Sequence, residues 1–156
     1  MYPPVNRMAQ ERKATYPVRC VVALSREFDQ VGRQGEMSIT QYRFMLFLRN
    51  GPKRAGEIAA TSMVTKATIS GQITQLKDKG WVDVETDESD RRVSRVVLTA
   101  EGRAAMDDLE AKLLDCLEGL IGEGDRARIL EALTDLYLAL GATRESRLAD
   151  ALTAAG

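Results

Sequence analysis

Two stretches of the chain group residue types that suit binding to a phosphate-rich partner. The first ends in Asp90-Arg91-Arg92, inside the polar run of residues 86–92. A guanidinium is permanently charged and donates a planar set of hydrogen bonds, and a carboxylate two residues away can orient it. The second runs from Thr65 to Lys79, where basic, hydroxylated and small residues fall on or near one side of a helical repeat: Lys66, Thr68, Ser70, Gly71 and Thr74. Their hydroxyls can contact phosphates or base edges, and the lysine can neutralise a phosphate.

Two predicted helices would position the second group. Ala55 to Met63 is a short amphipathic stretch, and Thr65 to Lys79 is a longer one. The longer stretch carries its apolar residues at positions i, i+4 and i+7, which places them on one face of a helix: Ile69, Ile73 and Leu76. Thr65 suits the N-cap because its hydroxyl can accept a hydrogen bond from a free amide of the first turn. Gly80 suits the helix end because glycine tolerates the left-handed backbone needed there.

A hairpin is predicted to follow the second helix. Residues 81–85 alternate as a half-exposed strand does, and residues 95–98 form a β-prone return strand around the polar tip. A helix-turn-helix followed by a charged hairpin is the winged-helix plan, whose natural target is duplex DNA. The second helix would enter the major groove, and the hairpin would reach the backbone or the electronegative minor groove. Three further basic residues would contact phosphates: Lys53, Arg54 and Arg95.

The residues around this unit resemble those of a known family. Six motifs occur in a specific order and spacing: Gln41-Tyr42, Gly51-Pro52, Glu57-Ile58-Ala59, Lys79-Gly80-Trp81-Val82, Asp90-Arg91-Arg92 and Leu98-Thr99-Ala100-Glu101-Gly102. The ordered set is similar to the MarR (multiple-antibiotic-resistance repressor) family of transcriptional regulators. The resemblance is close from Ser38 to Met106 and looser over the flanking helices.

The resemblance implies roles for the residues of the hairpin tip. It places Arg92 in the minor groove with Asp90 orienting it, and Arg91 on a phosphate. Two positions depart from the family, in which an arginine often stands at Gly71 and another near Gln75. A glycine inside a helix costs about 1 kcal/mol relative to alanine. Either the helix approaches DNA very closely at Gly71 or this position does not read bases, so specificity would rest more on the wing and on DNA shape.

The resemblance also implies a form of control. Family members release DNA when a small aromatic acid, often phenolic, enters a pocket between the dimer helices and the winged helix. An arginine would pair the anion against an apolar wall, and the candidate ligand-binding residues are Arg19, Tyr16, Tyr42, Arg43, Met45 and Met106. Other members respond to oxidation of a cysteine, and Cys20 lies near the position of that thiol. Because Cys20 falls on an apolar stripe, we expect it in the core, with Cys116.

Composition excludes several functional classes. The 156 residues include two cysteines and no histidine, so a disulfide scaffold, a zinc site and a histidine-dependent enzyme are poor interpretations. No apolar run approaches the ~20 residues of a membrane helix, and no signal peptide is apparent, so we expect a cytoplasmic protein. We predict no cofactor, no metal and no enzymatic activity.

Charge is segregated along the chain. Residues 40–99 hold ten Lys or Arg against seven Asp or Glu, whereas residues 100–156 hold six against twelve. DNA affinity depends on local charge near phosphates rather than on the net charge of −1. The acidic C-terminal helices would then point away from DNA, although good solvation of those helices explains their charge equally well.

The flanking segments are predicted to be helical and to dimerise. Residues 1–37 would form an arm and a helix that is apolar on two sides, residues 38–98 the winged helix-turn-helix, and residues 99–156 two further amphipathic helices. Such helices need more cover than a small winged helix supplies, and a homodimer of interlocking helices is the economical solution. The predicted fold is therefore mainly α with a small β-hairpin wing (α+β), in which dimerisation helices flank the winged helix.

These observations predict a sequence-specific, homodimeric DNA-binding regulator, most often a repressor. The resemblance implies a near-palindromic operator and release by a small aromatic acid. Two alternatives remain: a winged helix that binds a protein instead of DNA, and a redox-sensing regulator that uses Cys20.

Overall fold

The computed structural model describes the backbone of residues 15–62, 65–86 and 93–154, and the side chains of these residues apart from 61, 62, 66 and 142–154. The element order is α1 (Tyr16–Gln34), α2 (Ile39–Leu46), α3 (Ala55–Ser62), α4 (Lys66–Asp78), β1 (Val82–Thr86), β2 (Ser94–Leu98), α5 (Ala100–Leu120) and α6 (Arg126–Ala154), with a 3-10 turn at Glu123–Asp125. The mainly helical architecture with a two-stranded wing confirms the predicted fold class.

Side-chain caps fix where three of the helices begin. At the start of α2 the Ser38 hydroxyl accepts a hydrogen bond from the backbone N–H of Gln41. The side-chain oxygen of Gln41 accepts one from the backbone N–H of Ser38, and the two bonds form a capping box. At α4 the Thr65 hydroxyl accepts from the Thr68 amide, as predicted. At α5 the Thr99 hydroxyl accepts from the Gly102 amide at 2.9 Å. Each cap satisfies an amide that has no partner within its own helix.

The wing is a two-stranded antiparallel hairpin that is extended by a third segment. Val82 pairs with Leu98 and Thr86 with Ser94. Lys53, in the connection between α2 and α3, exchanges both backbone hydrogen bonds with Val96 at 2.8 and 3.1 Å. This bridge ties the start of the helix-turn-helix to the return strand of the wing.

The chain divides into two compact units, residues 1–116 and 117–156. In the first, apolar residues from α2, α3, α4, the wing and the first half of α5 form one core: Met37, Ile39, Phe44, Met45, Leu48, Ile58, Ala59, Ile69, Leu76, Trp81, Val82, Val96, Met106, Leu109 and Leu113. Because Ile69 and Leu76 belong to this core, α4 packs against it through one face.

The turn from α4 into the wing requires glycine. Gly80 has a φ of +72°, a left-handed backbone conformation that a residue without Cβ adopts easily.

Near the N-terminus, α1 leaves much of its apolar surface uncovered. Only Gly32 of this helix is buried, and Phe28 and Val31 pack at the edge of the core. Val18, Val21 and Val22 are all more than half exposed. The helix tolerates Pro17 because the ring lies in the first turn, where the missing amide would have no helical partner.

The second unit contains the end of α5, the 3-10 turn and α6. The Arg126 guanidinium lies 3.7 Å from a Glu118 carboxylate oxygen. Four apolar residues of α6 are about half exposed or more: Leu136, Tyr137, Leu138 and Leu140.

Several element boundaries differ from the prediction. The apolar spacing of residues 40–49 predicts a helix that continues to Arg49, but α2 ends at Leu46 and a hydrogen-bonded turn covers residues 47–50. The sequence predicts one helix up to about Leu140 and a further short helix in the alanine-rich tail from Gly141, whereas α6 continues to Ala154 because a single glycine lowers helix stability without ending the helix. Among the described residues, no helix combines the length and apolar content needed to cross a membrane.

Candidate nucleic-acid interface

Helix α4 presents one polar face to solvent. Ile69 and Leu76 are 1% and 0% exposed and hold the opposite face against the core. The predicted contact residues Thr68, Ser70, Gly71 and Thr74 are all exposed. Lys66 is the first residue of α4, and its side chain lies outside the described set. The described residues of the face that the sequence assigned to DNA are thus exposed to solvent.

Three basic residues lie around the base of the wing. The backbone bridge between Lys53 and Val96 brings Lys53 beside the β2 strand that contains Arg95. Arg54 is exposed, and its amide donates to a Glu57 carboxylate oxygen at 2.8 Å, which caps the start of α3. Lys53 and Arg95 are half-buried. Lys53, Arg54 and Arg95 therefore lie on neighbouring segments at the base of the wing, and basic residues are what phosphate contacts require.

The hairpin tip lies outside the described residues. Asp90, Arg91 and Arg92 belong to residues 87–92, for which the structure describes nothing. Their roles in the minor groove and on a phosphate therefore stay predictions.

Ion pairing sets the local charge at the junction of α4 and β1. The Lys77 ammonium lies 3.0 Å from Asp83 Oδ1, and the same oxygen accepts from the Val84 amide. The hydrogen bond from Lys77, aided by that amide, lowers the pKa of the Asp83 carboxyl. One residue beyond the end of α4, the Lys79 ammonium lies 4.1 Å from the centre of the Trp81 ring. Lys77 and Lys79 therefore have partners within the protein itself.

A polar cluster joins α2 to α5. Glu110 accepts hydrogen bonds from the Tyr42 hydroxyl at 2.7 Å and from the Arg49 guanidinium. The guanidinium also lies 3.5 Å from Asp107. The hydrogen bond to Glu110 and its negative charge raise the pKa of Arg49. Sequence reasoning missed Arg49 and Glu110, because their pairing spans 61 positions and no local spacing reveals it.

Comparison with known proteins gives a family match for the winged-helix region. The sequence model of the MarR family matches residues 36–93, which include the described α2, α3, α4 and β1. The chain is 29% identical over 110 residues to the HTH-type transcriptional repressor NicR of Pseudomonas putida, an alignment that spans 68% of this chain and 70% of NicR. Residues 36–93 are thus similar to the MarR family, and the longer alignment is similar to an HTH-type transcriptional repressor.

Solved structures of transcriptional regulators share the fold. The transcriptional regulator Tm0710 from Thermotoga maritima superposes with a TM-score of 0.64 at 22% identity, over 86% of this chain and 96% of that one. Apo MarR from E. coli superposes with a TM-score of 0.57 at 16% identity, over 87% and 98% of the two chains. At these identities the likeness concerns the winged-helix architecture.

The candidate effector residues fall in different surroundings. Met45 and Met106 are buried together in the core. Tyr42 is half-buried beside them, whereas Tyr16, Arg19 and Arg43 are exposed. A cleft of about 140 Å³ lies beside Met106 and is lined by Arg49, Leu98, Arg103, Met106 and Asp107. Its two arginines suit a small organic anion, which would compete with Asp107 for the Arg49 guanidinium, but the predicted Arg19 and Arg43 are not part of this cleft.

The cysteines differ from the prediction of burial. Cys20 is exposed on α1, and Cys116 is half-buried on α5. The expectation that Cys20 lies in the core of its own chain is wrong, because α1 contacts the core mainly through its C-terminal part. The redox role of Cys20 stays a prediction. Among the described residues, no group of three or more acidic or cysteine side chains is arranged to hold a metal.

Proposed function

We propose that this protein is a MarR-family transcriptional regulator, a homodimeric repressor that binds a near-palindromic operator. The observation that carries the proposal is the exposed polar face of α4, held by the core on its other side and next to the basic base of the wing. In a winged helix this face enters the major groove, and the basic residues meet the flanking phosphates.

The exposed valines of α1 support the dimer. A monomer that left Val18, Val21 and Val22 in water would lose the stabilisation available from burying them, about 1.5–3 kcal/mol for each side chain. A symmetric partner would cover the same residues on both chains. Two copies of α4 would then face successive major grooves about one helical turn apart.

The cleft beside Met106 supports release by a small aromatic acid. Arg49 and Arg103 would pair the carboxylate, while Leu98 and Met106 would face the ring. Because Arg49 also holds Glu110 and Asp107 on α5, an acid bound there would compete for the contact between α5 and the turn that follows α2. The effector would thus act on the position of the helix-turn-helix.

Binding to the region upstream of the gene tests the proposal. Fluorescence anisotropy should show saturable binding of the wild-type chain that weakens steeply as salt rises. Arg54→Ala and Arg92→Ala should each weaken binding and reduce the salt slope by about 1. Arg128→Ala on α6, which removes an exposed arginine paired with Asp125, is the matched control and should change neither quantity.

Two further measurements complete the test. Adding salicylate should release the duplex from the wild-type protein and not from a variant with Arg103→Ala. Failure of the wild-type protein to bind any upstream duplex at low salt would overturn the proposal and favour a winged helix that binds protein.

A further inference from the structure

The centre of the exposed face of α4 contains only short side chains. At 100° per residue, the positions opposite the fully buried Leu76 are Ala67, Gly71, Thr74 and, in the last turn, Asp78. The first three do not extend beyond their γ atoms. A Cβ built at Gly71 would meet no atom of the described residues within 4 Å, so packing inside the described part of the protein does not require glycine there. The backbone of α4 can therefore lie closer to a groove floor at this point than a longer side chain would allow.

The threonine hydroxyls of this face are already engaged within the helix. Thr74 Oγ1 donates to the carbonyl of Ser70 at 3.1 Å. Thr68 Oγ1 shares a hydrogen bond of 2.9 Å with Thr65 Oγ1. A hydroxyl has one proton, so Thr74 cannot donate to a base without giving up its bond to the backbone. The bond between Thr65 and Thr68 uses one of their two hydroxyl protons, and neither threonine of this face presents a donor and an acceptor side by side in one plane.

Gln75 offers what these residues lack. It is exposed, and in the described part of the chain its carboxamide makes no hydrogen bond, so both the N–H donors and the oxygen acceptor remain available. Its position is one turn beyond Gly71, about 6 Å further along the helix axis. If α4 enters the groove by its N-terminal end, its later turns lie further from the bases and require a longer side chain, which Gln75 has.

The carboxamide matches one base. A glutamine presents a donor and an acceptor side by side, and adenine presents the complementary N7 acceptor and N6 donor in the major groove. The exposed methyl groups of Ala67 and Thr74 suit contact with the C5-methyl group of thymine. Guanine presents two acceptors, which a carboxamide cannot satisfy through its oxygen.

We propose that Gln75 is the specificity-determining residue of α4 and reads an adenine in each half of the operator. This inference rests on the proposed binding of α4 in the major groove. It adds that the half-site contains an A·T pair whose identity is set by a single side chain.

Selection from a pool of duplexes with randomised half-sites tests the inference. Four proteins are compared: wild type, Gln75→Ala, Gln75→Arg and Gln30→Ala, the last being a matched exposed glutamine on α1. The wild-type protein and Gln30→Ala should select adenine at one position of each half-site. Gln75→Ala should accept any base there, and Gln75→Arg should select guanine, because arginine pairs with its O6 and N7 atoms.

A modified base provides a test that needs no variant. Replacing the selected adenine by 7-deazaadenine removes the N7 acceptor and should weaken wild-type binding by about 5- to 150-fold, the range expected for one bidentate contact. The same replacement should leave binding by Gln75→Ala unchanged.

Two kinds of outcome would overturn the inference, and they are distinguishable. If the wild-type protein selects a motif that Gln75→Arg selects unchanged, Gln75 does not read a base although the operator exists. If neither the wild-type protein nor Gln30→Ala enriches any duplex, both the proposed function and the role of Gln75 fail.

Discussion

Gly102 determines how closely α5 approaches the start of the wing. A Cβ at this position would lie 2.0 Å from the Trp81 carbonyl oxygen and 2.9 Å from the Trp81 carbonyl carbon. The same carbonyl accepts a hydrogen bond from the Thr99 amide at 3.1 Å. Both obstructing atoms are backbone and cannot rotate away, so only glycine fits without moving the helix.

We predict that Gly102→Ala destabilises the protein by about 1–3 kcal/mol, the usual cost of overpacking a rigid site. The measurement is the free energy of unfolding in urea at a fixed protein concentration, because dimerisation makes stability depend on concentration. Gly119→Ala on the same helix is the control. A Cβ at Gly119 meets nothing within 4 Å, so this change should be neutral or stabilise the helix by about 0.4–1 kcal/mol. Equal effects of the two changes would contradict the close approach at Gly102.

At the scale of elements, Thr99 joins three parts of the winged helix. It directly follows β2, and its hydroxyl donates to the Gly80 carbonyl at 2.7 Å, just beyond the end of α4. The same oxygen accepts from the Gly102 amide and caps α5. One side chain therefore fixes the start of α5 relative to the end of α4.

Loss of this hydroxyl should loosen the junction. We expect Thr99→Ala to lower the free energy of unfolding by about 1–2 kcal/mol, since it removes both a helix cap and a second hydrogen bond. Thr99→Ser keeps the hydroxyl and should retain most of the stability. Urea denaturation of both variants measures the difference, and a serine variant as unstable as the alanine variant would show that the methyl group, not the hydroxyl, matters.

The sequence predicts an element well when the residues that stabilise it lie close together along the chain. The beginning of α4 was predictable, because Thr65 and the amide that it caps are three residues apart. The winged-helix plan was predictable for the same reason, through the hydrophobic spacing of Ile69, Ile73 and Leu76. The cluster around Glu110 was not, because its partners come from α2 and the following turn, more than 60 positions away.

The exposed position of Cys20 was missed for a related reason. Its helical spacing correctly indicated an apolar stripe, but spacing alone does not say whether the cover comes from the same chain or from another. In the described chain, that part of α1 has no cover from its own core. The ligand-binding residues depended on the same kind of long-range placement.

At the scale of the whole molecule, exposed apolar residues mark the surfaces that a single chain does not bury. On α1 the valines at positions 18, 21 and 22 are 56–67% exposed. On α6 the exposed set includes Tyr137 at 73% and Leu138 at 63%. Monomeric proteins seldom expose such groups of large apolar residues together, whereas subunit interfaces bury them.

We predict that the wild-type protein behaves in solution as a species of twice the 17.2 kDa chain mass. Val21→Lys, which places a charge in the α1 surface, should shift it toward the single-chain mass, because burying an unpaired ammonium is costly. Analytical ultracentrifugation over a range of concentrations measures the shift. Val84→Lys, an exposed valine of β1, is the matched control and should leave the mass unchanged. A wild-type protein that sediments as one chain would contradict the dimer.

The bridge between Lys53 and Val96 holds the connection before α3 in place without using the Lys53 side chain. Both of its hydrogen bonds are formed by backbone atoms, so any residue other than proline can preserve them. The side chain at position 53 can therefore change sign or length while the connection keeps its path. A substitution at position 53 can thus change the affinity for a polyanion while the fold of the wing stays the same.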